Sequence, residues 1–171
     1  MKDTVYLFHQ TPKELAEKLI KLVPLISDDV VLEPFKGEGS FYNNFPLFTK
    51  NNWCEIEEGV DFKDYDYATN KIDWVISNPP FRLETLDKKR TNSFYYILDF
   101  FLTRVNKGIA FLGNDYCLEA LTPKRLIDIN NKGFYINKIC VCNIKKWRGR
   151  YFFIIISKTK TDFYNCIDGY Y

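Results

Sequence analysis

The chain has 171 residues, 46% of them hydrophobic and 18% aromatic, which suits one domain with a substantial core and excludes a disordered or low-complexity chain. No apolar run approaches a membrane span and the N-terminus carries no signal-peptide pattern, so a cytoplasmic protein with no membrane partner is expected. The net charge of +2 is unevenly spread: residues 1–81 hold 8 Lys/Arg against 14 Asp/Glu, and residues 82–150 hold 14 against 6. A basic segment of that kind suits contacts with phosphates, where the bulk charge alone would imply nothing. Five cysteines form no C-x-x-C pair, and Cys140 and Cys142 would share a face of one strand. With a single histidine beside them, a metal site and a disulfide framework are both disfavoured, and free thiols in a reducing compartment are expected.

Taken in order, Thr11-Pro12-Lys13-Glu14 predicts a helix start. Threonine would cap, proline would occupy the first turn, and Glu14 would complete a capping box. Leu15, Ala16, Leu19, Ile20, Leu22 and Val23 recur at helical spacing until Pro24 stops the element. His9, just before this helix, reads as a loop or packing residue. Val30-Val31-Leu32 predicts a buried strand that runs into Glu33-Pro34-Phe35-Lys36-Gly37-Glu38-Gly39. Gly37 and Gly39 allow a tight turn and close approach of a ligand to backbone N–H groups. The third glycine of a dinucleotide fingerprint is missing, which disfavours NAD.

Residues 52–56 predict a second strand, with Glu55 near its end either accepting ribose hydroxyls or standing as a solvated carboxylate. Asp61 can accept from a purine amino group while Phe62 lies against the ring. Any strand between Ile56 and Ile72 would be very short or missing.

The stretch Asp73 to Phe81 is the most informative. Asp73 to Ser77 alternates like a buried strand, and Asn78-Pro79-Pro80-Phe81 halts it, because consecutive prolines cannot donate to a sheet ladder. Asn78 is thereby fixed at the C-terminal edge of a sheet, where ligand sites of open α/β sheets lie. The Asn78 amide oxygen and the Pro79 carbonyl can accept from an exocyclic amine, and Phe81 can stack on a flat ring.

Residues 82–92 read as a polar loop carrying Arg82, Lys88, Lys89 and Arg90. Ser93 would cap an aromatic helix over 94–105, ended by Gly108. Residues 109–112 predict a central strand, Thr122-Pro123 a further helix ending near Gly133, and residues 135–143 and 151–157 two paired strands. Between these lies a tip with Lys145, Lys146, Trp147, Arg148 and Arg150, which suits phosphates and a base but equally an ordinary charged turn.

Together these motifs resemble the S-adenosylmethionine-dependent adenine-N6 DNA methyltransferases, especially small phage- and plasmid-type enzymes. The resemblance spans about residues 9 to 113. It implies a Rossmann-like class I methyltransferase fold, an α/β architecture with a mostly parallel doubly wound sheet and a C-terminal antiparallel hairpin. It also implies S-adenosylmethionine as cofactor and DNA as substrate, in a bacterial or phage-infected cell. By position, Glu33 and the Gly37/Gly39 turn would hold the methionine portion of the cofactor, Glu55 its ribose, and Asp61 and Phe62 its adenine, with Thr11, Pro12, Phe35 and Lys36 also in the cofactor site. Asn78, Pro79, Pro80 and Phe81 would grip a flipped adenine.

The chain is read as a single methyltransferase domain over 1–171 with no separate target-recognition domain. That leaves Arg82, Lys88, Lys89, Arg90 and the 144–150 tip to read the nucleic acid, with a second copy or a recognition subunit as candidate partner. RNA is the alternative polymer, and a catalytically silent nucleic-acid-binding subunit is the alternative role. Phe81, where protein-glutamine methyltransferases more usually carry tyrosine, argues against a peptide substrate.

Overall fold

The computed structural model describes residues 10–81, 83, 93–145 and 147–163. Six strands form one sheet in the order β2-β1-β3-β4-β6-β5. They are β1 (Val30–Glu33), β2 (Lys50–Trp53), β3 (Ile72–Ser77), β4 (Val105–Asn114), β5 (Tyr135–Cys142) and β6 (Tyr151–Ser157). The first four in chain order are parallel, while β6 runs antiparallel to both β4 and β5. Because β2 pairs on one side of β1 and β3 on the other, the chain reverses its winding between β1 and β3. Crevices at such a reversal, beyond the C-terminal strand ends, are where open α/β sheets bind ligands.

Among the described residues four α-helices flank the sheet: α1 (Lys13–Ile20), α2 (Ser93–Leu102), α3 (Asp115–Ala120) and α4 (Pro123–Asn131). Ala16, Leu19 and Ile20 of α1 pack with Val31, Trp74, Ile76, Ala110, Leu112, Tyr151 and Phe153 on one face. Phe94, Ile97 and Phe101 of α2, Cys117 of α3, and Leu126 and Ile129 of α4 pack with Leu32, Val75, Ile109 and Phe111 on the other. Since strand side chains alternate between faces, these two clusters fix which way every strand residue points. Glu33 continues the parity of Val31, Asn78 that of Trp74 and Ile76, and Asn114 that of Ala110 and Leu112. All three strand ends therefore present a polar side chain on the α1 face.

Several sequence expectations are corrected. Thr11 does not cap α1: Pro12 occupies the cap position and no side chain caps the helix. The helix stops at Ile20, ahead of Leu22 and Val23, which continue in a turn. The aromatic helix ends at Leu102, and Val105 already belongs to β4. Gly108 is thus inside a strand, where Trp74 crosses so closely that a Cβ would lie 2.4 Å from its ring. Glycine there admits an indole; it does not end a helix. The second strand runs over 50–53, so Glu55 lies beyond it in a single antiparallel bridge with Val60. Helix α3 was not expected, being six residues long and weakly periodic. No strand forms over 57–71, and the two late strands pair as expected. No helix of the described residues is long and apolar enough to cross a membrane.

Candidate active site

The segment after β1 supplies one half of the site. Glu33 is 2% exposed, and its Oε2 accepts from the Tyr42 backbone N–H at 2.7 Å. Burial pushes its carboxyl up to about 9, the neighbouring Glu55 adding to the rise and Lys36 opposing it. Gly37 and Gly39 both adopt left-handed backbone, with φ of +50° and +79°, so the turn bends back at once. A Cβ on Gly39 would lie 2.8 Å from the Asn43 side chain, and one on Gly37 would press 3.0 Å from Gln10. The turn is tied to the β2 side by Glu55, whose Oε2 accepts from Gly37 N–H at 2.6 Å and whose Oε1 accepts from Glu57 N–H at 3.2 Å.

Lys36 pairs with Glu58 at 2.5 Å and lies 3.7 Å over the Trp53 ring. Asp61 accepts from Lys63 N–H at 2.9 Å. Phe35 and Phe62 meet edge to face with centroids 5.0 Å apart, and Phe62 is buried against Phe100 and Phe101. The aromatic wall here is part of the α2-side core.

The end of β3 supplies the other half. Asn78 Nδ2 donates to Thr11 Oγ1 at 3.4 Å, joining residues 67 apart in sequence. Thr11 is buried, and Pro12 N-caps α1 beside it, so the start of α1 orients the asparagine amide. Pro79 is buried and Pro80 half-buried. The Phe81 ring packs against Tyr151 at 6.4 Å between centroids, and Trp147 packs against the same tyrosine at 4.6 Å. Trp147 is therefore folded back as a half-buried wall beside Asn-Pro-Pro-Phe, leaving Lys145, Arg148 and Arg150 exposed on the tip.

The structure thus brings Thr11, Asn78, Phe81 and Trp147 to one end of the site, and Glu33, Phe35, Lys36, Gly37, Gly39, Glu55, Asp61 and Phe62 to the other. Arg82, Lys88, Lys89, Arg90 and Lys146 lie outside the described residues. Sequence reasoning missed Gln10, Tyr42, Tyr151 and Asn114. Only strand pairing reveals the last two, because Tyr151 stands opposite Asn114 in the β4–β6 ladder. Among the described residues no group of three or more His, Cys, Asp or Glu side chains is placed to hold a metal ion, and Cys54, Cys117, Cys140 and Cys142 are unbridged.

Sheet order, late hairpin and winding reversal define the Rossmann-like class I methyltransferase fold. Solved structures with this fold align over most of the chain. A putative RNA methyltransferase from Pyrococcus horikoshii matches with a TM-score of 0.64 and 18% identity, over 90% of this chain and 87% of its own. A putative S-adenosylmethionine-dependent class I methyltransferase from Listeria monocytogenes matches with 0.65 and 14%, over 93% of this chain, which spans only 64% of that protein. The E. cuniculi Mtq2–Trm112 complex, responsible for methylation of the termination factor eRF1, matches with 0.61 and 14%, over 90% and 99%. No protein-family model and no curated protein sequence matches the chain. Identities this low carry the fold and leave the substrate to the site.

Proposed function

We propose that the chain is an S-adenosylmethionine-dependent methyltransferase acting on the exocyclic N6 amine of adenine in a nucleic acid, with DNA as the first candidate. The observation that carries this is the Thr11–Asn78–Pro79 arrangement at the C-terminal end of β3, on the same face as Glu33 and beside the Phe81 ring. A primary carboxamide whose N–H is held by a hydroxyl, followed by a carbonyl on a proline-stiffened backbone, offers two fixed acceptors to an amine.

The residues present fit the cofactor. Glu33 is a buried carboxylate kept mostly neutral by desolvation, a group that an ammonium such as that of the cofactor's amino-acid portion would return to its charged form. The left-handed turn at Gly37 and Gly39 follows it directly, and we assign Glu55 to the ribose hydroxyls and Asp61 to the purine amine of the cofactor. When bound, S-adenosylmethionine supplies an electrophilic methyl group. The chain's own contribution is positional: Asn78 and the Pro79 carbonyl orient the amine and its lone pair, Phe81 stacks on the base, and the buried aromatic wall excludes water. No side chain needs to form a covalent bond.

RNA is the second reading, favoured by the Pyrococcus horikoshii likeness. The exposed Lys145, Arg148 and Arg150 suit the phosphates of either polymer. The E. cuniculi protein, solved in complex with Trm112, supports a partner subunit for this chain.

The deciding experiment is labelled-methyl transfer to duplex DNA, single-stranded DNA and RNA in parallel, with products digested to nucleosides and identified by mass. N6-methyladenine nucleoside that disappears with Asn78→Ala is expected, and the polymer that yields it names the substrate. No transfer to any polymer despite cofactor binding would replace the enzyme reading with that of a silent subunit.

A further inference from the structure

Asn114 ends β4 and takes the cap position of α3, yet its side chain makes no capping bond. Its Oδ1 is buried and has no hydrogen-bond partner among the described residues. An asparagine at a helix cap normally turns its oxygen to the first free N–H groups, and a buried amide oxygen left unmatched is costly. This amide forgoes both compensations.

Its placement indicates what it serves. Ser77 pairs with Phe111 in the parallel β3–β4 ladder. Asn114 is therefore one strand spacing of about 5 Å across from Asn78 and about 7 Å further along. By strand parity both amides project on the α1 face. Opposite Asn114 stands Tyr151, whose ring bridges Phe81 and Trp147. One face of the sheet edge thus carries two carboxamides and three aromatic rings.

We propose that Asn114 is a second base-reading amide, its Nδ2 donating to the ring nitrogen adjacent to the target amine and its unmatched Oδ1 accepting from that amine on the same edge, while Asn78 and Pro79 accept from the amine's other side. This rests on the functional reading above. A carboxamide presents a donor and an acceptor side by side and complements the amine–ring-nitrogen edge of adenine, as in the bidentate pairing of asparagine with that base. Bases with a keto group beside a ring N–H would meet donor with donor. Asn114 would then reinforce, at the ring nitrogen, the selection that the acceptors of Asn78 and Pro79 make at the amine.

The test uses the full chain and AT-rich oligonucleotides of the accepted polymer, made with either adenine or 1-deazaadenine, which lacks that ring nitrogen. Asn114→Ala is expected to lower kcat/KM on adenine at least tenfold with cofactor affinity unchanged. The wild-type protein should lose a similar factor on the 1-deaza substrate, and Asn114→Ala should lose little more. Asn114→Asp, a strong helix cap with no N–H to donate, should match the wild type in thermal stability and the alanine variant in activity. Full activity in Asn114→Asp, or equal sensitivity of wild type and Asn114→Ala to the 1-deaza substitution, would overturn the assignment and leave the transferase reading intact. An inert wild type would overturn both.

Discussion

The backbone N–H of Gly37 donates to the Glu55 carboxylate at 2.6 Å, so the glycine turn after β1 is fastened to the segment after β2 by a charge-assisted bond. The same carboxylate also receives Glu57 N–H. A single side chain therefore holds two loops of the candidate cofactor site in register.

Glu55→Ala should cost about 1.5–3 kcal/mol of stability, the range for hydrogen bonds to a charged group, and should weaken S-adenosylmethionine binding. Glu55→Gln keeps the shape and loses the charge, so its cost should be smaller. Urea unfolding and calorimetric titration of the cofactor check both. Unchanged stability in Glu55→Ala would mean the bond adds nothing to the fold.

Glu33 gives the protein a pH dependence of a particular sign. Its folded carboxyl sits at about 9, above the ordinary value of 4.5, because burial penalises its charge. Between those values the folded state holds a proton that the unfolded chain has released. Its contribution is fully present below 4.5 and is lost as pH rises through the folded value, at up to about 1.4 kcal/mol per pH unit. Glu33→Gln mimics the neutral acid and should flatten stability between pH 5 and 9, as read from urea midpoints. Cofactor binding near neutral pH should also release a proton, visible as a binding enthalpy that depends on the buffer's ionisation enthalpy. Identical pH profiles for wild type and Glu33→Gln would contradict this account.

Thr11→Val removes the hydroxyl that accepts from Asn78. One neutral hydrogen bond contributes about 0.5–1.5 kcal/mol, so methyl transfer should fall by roughly two- to tenfold. Thr11→Ser keeps the hydroxyl and should retain most activity. Equal loss in both variants would point to packing of the threonine methyl.

Gly108→Ala should destabilise the domain by about 1–3 kcal/mol, since the added methyl would meet the Trp74 ring at 2.4 Å and the Ile156 carbonyl at 2.7 Å. Neither the central indole nor the β6 backbone can yield without disturbing the sheet. A melting temperature within a degree of the wild type would contradict this close packing of Trp74 on Gly108.

The sequence by itself determined the order of the elements around the site. Two prolines after a branched strand stop it wherever they occur, and Gly-x-Gly after another strand makes a turn through local backbone sterics alone. Those effects act within a few residues, so Glu33, Gly37, Gly39 and Asn78 were legible as strand-end positions, as was the late strand pair. Tertiary structure decided what local rules cannot see. Thr11 has capping chemistry but spends its hydroxyl on Asn78, 67 residues away. Gly108 resembles a helix stop until Trp74 is seen to cross it. Trp147 belongs to a charged turn in sequence, yet packs on Tyr151 in the fold. Asn114 and Tyr151 carry no motif, and only the β4–β6 register sets them face to face beside Phe81. Strand ends are written in neighbouring residues, whereas the walls of a pocket are set by pairings between distant ones.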